Sequence, residues 1–401
     1  MNILFLASLF PEESREVIKQ NSKGAIANAN DALQWSYVKG ISSFTKNLKV
    51  ICAPNIGAFP LKYKSLFFHG SGFINNSAFS GETISFFNLL GFKHFSRYLN
   101  VKKRLFKWNE ETVGNKTIII YDLHAPFLAA VSDLKKKNPE IVVCLIVPDL
   151  HGFTGNPQGV LYNLFGRIEK RILDRSLLSV DSYVLLSKHM NEHLPVGGKP
   201  CMVMEGIYNS EQGKKEGRIK SDQLKTIFYS GAIDERNGVI RLLTAFEAIP
   251  NENYRLILCG EGDGRNEVQS RAMKDPRIIY KGQIDREEVL MLQKVSTLLV
   301  NPRTPEGEFT KFSFPSKTME YLASGVPTLM YRLEGIPDEY YTYSYVMDDI
   351  SIQSLSDRIV NICEQPNEVL SLKGKIAQDF VLTNKTPKIQ CGKLLDMLNK
   401  L

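Results

Sequence analysis

Cysteine is sparse in this sequence and forms no pattern. Six thiols (Cys52, Cys144, Cys201, Cys259, Cys363 and Cys391) are scattered through 401 residues with no C-x-x-C pair. That spacing argues against a disulfide framework or zinc ribbon and for buried free thiols in a reducing cytosol. Long hydrophobic runs are also missing, since no stretch approaches the roughly 18 residues of a spanning helix. The opening MNILFLASLFPEE has neither a basic n-region nor a small-residue cleavage site, so it reads as a first strand and not a signal peptide. There is no internal repeat and no low-complexity segment. H-E-x-x-H is absent, and His189 and His193 at i, i+4 lack a third ligand, so a surface helix is expected there and no metal site. G-x-G-x-x-G is absent as well. Gly260, Gly262 and Gly264 are spaced G-x-G-x-G, which argues against a nicotinamide dinucleotide and for a tight turn where a ligand approaches backbone.

What the chain has is alternation. The apolar and charged fractions, 43% and 23%, are those of a globular protein. The length favours two domains. The first half carries the strand-like runs NILFLA, LKVICAP, KTIIIYD, IVVCLIVPD, SYVLLS and PCMVME. The second half carries KTIFYSG, YRLILCG, RIIYKG and TLLVNP. Several are continuous and rich in Ile and Val, as in strands buried on both faces. Helical patterns lie between them, including NANDALQWSYVKGI, APFLAAVSDLKKK, GVIRLLTAFEAI and REEVLMLQKV. The expected fold class is α/β, with two Rossmann-like parallel-sheet domains facing a central cleft. The first spans residues 1–207, a polar linker residues 208–223, and the second residues 224–378. A C-terminal helix over 379–401 would return to the first domain, with Ile389, Leu394, Leu395 and Leu398 on one face. Ligands of such sheets bind outside the carboxyl ends of the strands.

Three strand ends in the second half carry candidate chemistry. In YSGAIDERNGVIRLLTAF, Gly231 ends a strand and Asn237-Gly238 form a turn before a helix. An ordinary βα loop and an anion site with Arg236 at the helix start are both open. In KFSFPSKTMEYLASGVPTL, Pro315 and Ser316 open a short helix, with Ser316 as its cap, and Gly325 and Pro327 close it. Lys317 and Glu320 share one side of that helix. A carboxylate there can accept two hydrogen bonds from a vicinal diol, and an ammonium can neutralise phosphate oxygens. A surface ion pair worth about 0–1 kcal/mol is the plainer alternative.

The segments GAIDERNG, LILCGEG, YKGQIDREEV and FPSKTMEYLASGVPTL, in this order, resemble the GT-B family 4 glycosyltransferases. The likeness is strongest to bacterial enzymes that build capsular or extracellular polysaccharide. IVPDL and VLLSKHM in the first half resemble the same group. The resemblance implies a nucleoside-diphosphate sugar, UDP-linked, held by the second domain. The acceptor is a glycan, lipid-diphosphate-linked, on the first. It also implies a retained anomeric configuration and no metal or other cofactor. Glu320 matches the glutamate that binds ribose, while Phe312 stands where the family has its other acid, with Glu306 or Glu308 as substitutes. Ala232 and Asn237 stand where the family has its diphosphate-binding Arg and Lys. Arg236, Arg303, Lys311 and Lys317 are the replacements, with Lys317 and Arg236 favoured. Gly231, Gly260 and Ser316 complete the expected donor site, Gln283 and Ile284 fall where the base is met, and Gly24 lies in the family's glycine loop. Asp149 or His151, with His124 as a further candidate, would orient the sugar or acceptor.

Residues 60–108 hold eight basic residues (Lys62, Lys64, Lys93, Arg97, Lys102, Lys103, Arg104, Lys107) against one acid, Glu82, with interleaved aromatics. That mixture suits an anionic membrane surface or a lipid diphosphate. An insertion with core aromatics and solvated charges is the alternative, and nucleic acid is not an expected partner. The location that follows is cytoplasmic, at the inner face of the plasma membrane. The alternative functions are a non-catalytic glycan- or lipid-binding protein on the same scaffold and a nucleotide-sugar epimerase.

Overall fold

The computed structural model describes residues 1–24, 26–75, 79–150, 160–209 and 224–401. It divides into two compact units, one of Met1–Ile207 with Pro387–Leu401 and one of Tyr208–Thr386.

The first unit is built on an eight-stranded sheet. Its strands are β1 (Asn2–Ala7), β2 (Leu48–Cys52), β4 (Gly72–Asn75), β5 (Phe79–Thr83), β7 (Lys116–Tyr121), β8 (Val142–Val147), β9 (Ser182–Leu185) and β10 (Cys201–Val203). A separate antiparallel pair joins β3 (Phe67–Phe68) to β6 (Phe86–Phe87). The main sheet runs β10-β9-β8-β7-β1-β2-β5-β4 and is parallel except at its β5/β4 edge. The central strands are continuous apolar runs because both faces are covered, and Ile3 to Ala7 have no solvent exposure. Helices α1 (Glu12–Asn21), α2 (Asn28–Ser42), α3 (Phe92–Glu111), α4 (Ala125–Lys137) and α5 (Val160–Ser176) belong to this unit.

The second unit has six parallel strands, β11 (Lys225–Ser230), β12 (Tyr254–Cys259), β13 (Ile278–Gly282), β14 (Leu298–Asn301), β15 (Thr328–Tyr331) and β16 (Tyr345–Met347). Their order is β13-β12-β11-β14-β15-β16. This is the doubly wound 3-2-1-4-5-6 arrangement, whose direction reverses between β11 and β14. The connecting helices are α6 (Val239–Glu247), α7 (Arg265–Lys274), α8 (Arg286–Val295), α9 (Ser316–Ala323), α10 (Glu339–Thr342), α11 (Ile352–Cys363) and α12 (Asn367–Asn384).

The last helix, α13 (Pro387–Leu398), packs on α2 in the first unit. Its buried face is Cys391, Leu394, Leu395 and Leu398. Ile389, expected on that face, is 41% exposed. The spacing i, i+3, i+4, i+7 from Cys391 explains the difference, because it places Ile389 on the opposite side of the helix. Gly40 permits the close approach, since a Cβ there would overlap the Cys391 sulfur and the Pro387 carbonyl. Residues 210–223, most of the expected linker, lie outside the described residues.

Candidate functional site

The reversal in strand order puts the carboxyl ends of β11 and β14 side by side, and the functional residues of the second unit collect there. Helix α9 is fixed to both strands. The Tyr321 hydroxyl accepts from the Ser230 backbone N–H at 2.8 Å, at the end of β11. Asn301, at the end of β14, donates to the Thr318 hydroxyl at 3.3 Å. One turn before Tyr321 on the same face is Lys317, and its aliphatic stem therefore lies against Gly231. A Cβ on Gly231 would come within 2.7 Å of Lys317 Cε and 2.5 Å of the Tyr229 hydroxyl. Glycine at 231 is a packing requirement.

Lys317 makes no hydrogen bond or ion pair among the described residues. Burial holds its ammonium below the usual lysine range, opposed by Glu320 and assisted by Arg286. Pro315 occupies the cap position of α9 and no side chain caps the helix. This corrects the expectation for Ser316, which is instead the first, exposed helical residue. The open end of α9 and the Lys317 ammonium together favour an anion.

Two arginines lie in the loops after β14 and β11 and act on each other. Arg303 follows β14, donates to Ser313 Oγ at 3.0 Å and lies 4.6 Å above the Phe309 ring. Its Nε is buried without a partner. Burial pushes its guanidinium below the arginine range, and Arg236 pushes the same way, against Asp234 and Tyr229. Arg236 is exposed in the loop after β11. The other expected replacement is committed elsewhere, since Lys311 pairs with Glu334 at 3.6 Å. Asn237 is also committed: its backbone N–H and its side-chain amide both donate to Asp234 Oδ1 at 2.8 Å. Ala232 is exposed, and its carbonyl accepts from the Tyr229 hydroxyl at 2.8 Å.

Glu320 is held from two sides. Gln293 donates to one carboxylate oxygen at 2.7 Å, and Arg286 pairs with the other at 3.0 Å. Tyr208 stands close enough for Glu320 to contribute to its raised pKa, after burial. Phe312 is 3% exposed, so the position where the resemblance puts an acid is core. Glu306 accepts from Thr304 at 2.9 Å and pairs with Arg241 at 3.7 Å. Gln283 is exposed, and Ile284 packs half-buried against the core cluster containing Tyr321.

The glycines after β12 serve the site's backbone. Gly260 has φ +133°, and a methyl there would overlap the Gly231 carbonyl. The loops after β11, β12 and β13 are laced by main-chain bonds, Gly231 N–H to Cys259 O at 2.9 Å, Ile233 N–H to Glu261 O at 2.9 Å and Gly260 N–H to Gly282 O at 2.8 Å. Here backbone meets backbone, where the sequence reading expected a ligand.

In the first unit, Asp149 is half-buried just beyond the end of β8. His151 lies outside the described residues. His124 occupies the N-cap position of α4 without a side-chain capping bond, its Nε2 3.3 Å from Arg97 and its ring 4.1 Å from that of Phe127. Gly24 has φ +116° and open space beside its Cα. Asp31 is 3% exposed and bonded to the Phe10 N–H and to Arg15. His189 pairs with Glu192, and no His/Cys/Asp/Glu cluster suited to a metal occurs among the described residues. No helix among them is long and apolar enough to cross a membrane.

Residues 210–378 match the sequence profile of the family described as Glycosyl transferases group 1. That match covers less than half of the chain, which has a GT-B fold. Three solved structures illustrate the likeness. Sucrose-phosphate synthase from Thermosynechococcus elongatus shares 14% identity, with 100% of both chains covered and a TM-score of 0.62. Anabaena HepE in complex with UDP shares 12%, again with 100% of both covered and a TM-score of 0.62. A UDP-forming α,α-trehalose-phosphate synthase from Burkholderia xenovorans, in complex with glucose-6-phosphate, shares 10%. There 99% of this chain and 100% of the other are covered, at a TM-score of 0.65. Among curated proteins, no sequence matches the chain significantly. At these identities the structures show the GT-B fold alone. The residues that sequence reasoning missed as parts of the site are Arg286, Gln293, Tyr229 and Tyr208. Gln293 carried a signal, being a polar residue on the apolar face of a helix.

Proposed function

We propose that this chain transfers a sugar from a nucleoside-diphosphate sugar to a glycan acceptor, in the synthesis of a capsular or extracellular bacterial polysaccharide. The observation that carries the reading is Lys317 at the open end of α9, without a partner among the described residues, with Arg303 and Arg236 on the loops after β14 and β11. Three cations at the strand-order reversal suit a diphosphate. Glu320, already oriented by Gln293 and Arg286, receives the ribose hydroxyls, and Gln283 with Ile284 meets the base. The UDP bound by Anabaena HepE supports a UDP-linked donor. Asp149 and His151 orient the sugar or acceptor.

As the anomeric C–O bond breaks, negative charge develops on the departing phosphate. Lys317, Arg303 and Arg236 stabilise it where it forms. The acceptor hydroxyl attacks from the face the phosphate leaves, and its proton passes to a phosphate oxygen. The configuration is retained and no enzymic nucleophile or resident metal is used. The acceptor is lipid-diphosphate-linked, which places the protein at the cytoplasmic face of a membrane.

Calorimetry with UDP, GDP and a panel of their sugars tests the donor, and NMR of the product tests the anomer. UDP binding that weakens at least tenfold in Glu320→Ala is expected. An inverted product would remove the retention step. Absence of nucleotide binding would favour a glycan- or lipid-binding protein, the second reading, which the buried Phe312 and the locked Asn237 support.

A further inference from the structure

Residues 60–108 do not form the basic surface their composition implies. Lys93 and Arg97 are 9% and 3% exposed and donate to the carbonyls of Ile56 and Pro54. Arg97 also stacks 4.2 Å above Phe86. Lys102 pairs with Asp133 at 2.5 Å and Arg104 with Glu82 at 3.2 Å. Phe86 and Trp108 are core residues. Most of the charge is therefore internal or neutralised, and the apolar side chains are what reach solvent. Phe92 is 65% exposed, Phe95 60%, Leu90 55% and Leu99 47%.

Leu90 and Phe95 border a groove of about 710 Å³ between α3, α4 and α5, lined also by Pro126, Ala129, Ile168 and Ile172. Its volume lies within the range of about 300–1,000 Å³ usual for ligand sites. The acids that reach it have partners. Asp133 pairs with Lys102 and Lys136, and Glu169 lies 3.5 Å from His94. Of the α5 cations, Arg175 lines the groove, while Arg167, Lys170 and Arg171 lie on the same helix outside its lining; all four are exposed and without partners among the described residues.

We infer that this groove takes one hydrocarbon chain of an anionic lipid, with the headgroup against the α5 cations. A flat partner surface would not fill a concave site of this volume. An exposed aromatic and aliphatic rim framed by unpaired Arg and Lys suits a chain entering from a negatively charged bilayer surface. The inference rests on the lipid-linked acceptor reading and gives it a location remote in sequence from the nucleotide site.

The test is vesicle flotation of the full chain, with phosphatidylcholine alone and with 30% phosphatidylglycerol by design. Wild type should partition at least tenfold more strongly onto the anionic vesicles. Ile172→Glu in the groove and Arg171→Glu/Arg175→Glu beside it should each lose most of that gain, with UDP affinity and circular dichroism unchanged. Equal binding to both vesicle types, or full binding by Ile172→Glu, would overturn the inference. A wild-type dimer made monomeric by Ile172→Glu would overturn it too, by assigning the groove to a second copy. Loss of vesicle binding with UDP binding intact would leave the transferase reading standing, and the reverse would overturn only that reading.

Discussion

Removing the charge from Lys317 is the sharpest perturbation the site offers. Lys317→Met keeps the stem that packs on Gly231 and deletes the ammonium. That ammonium is half-buried, has no partner among the described residues, and is held below the usual lysine range by burial. Part of the cost of taking it out of water has been met in folding, so a diphosphate gains the contact with a smaller deduction. A charge-assisted hydrogen bond then contributes about 2–3 kcal/mol, a loss of about 30–150-fold in UDP affinity at 1.4 kcal/mol per decade. Binding also depends on pH with a definite sign. The diphosphate needs the protonated form, so wild-type affinity falls as pH rises, from a pH below the ordinary lysine value of 10.5. Binding is accompanied by proton uptake, and the variant loses that part of the dependence. Calorimetry in buffers of different ionisation enthalpy measures both. A Lys317→Met protein that binds UDP within threefold of wild type would refute the diphosphate assignment. It should also be more stable than wild type near neutral pH, which a denaturant melt checks.

Other consequences follow from the packing. Gly260→Ala puts a methyl at φ +133° over the Gly231 carbonyl. It should cost about 2–3 kcal/mol, a fall of about 4–12 °C in the melting temperature of a unit this size, with UDP binding weakened; an unchanged melt would show that these loops are not locked together. Lys93 is lowered to about 6 by burial and by Arg97. Between that value and 10.5 the unfolded chain holds a proton the folded one lacks, so stability rises with pH, by at most about 1.4 kcal/mol per unit. Lys93→Met should flatten that slope in denaturant melts. Deleting residues 387–401 exposes the face of α2 around Gly40 and should destabilise the first unit, while nucleotide binding by the second persists; limited proteolysis distinguishes the two.

The strands that were legible are those whose apolar runs are long enough to be read without context, β1, β7, β8, β11 and β12 among them. β3 and β6, two residues each, carry no period, and β15 and β16 are too short to separate from loop. In the site, Lys317 and Glu320 were visible because helix spacing alone puts them on one side. Arg286 and Gln293 were not, because their relation to Glu320 depends on α8 and α9 lying next to each other, which the sheet order creates. Phe312 and Asn237 departed visibly from the resemblance. That one is core and the other spends its amide on Asp234 required coordinates.

The second unit is an insertion. The chain leaves the first unit after Ile207 and re-enters it at Pro387, where α13 completes the packing against Gly40 and Tyr37. During synthesis the second unit is therefore finished before the unit that began first. The first unit waits, with α2 uncovered, until α13 has been made, so its packing is completed only after the whole of the second unit has been synthesised, however early its own strands emerge.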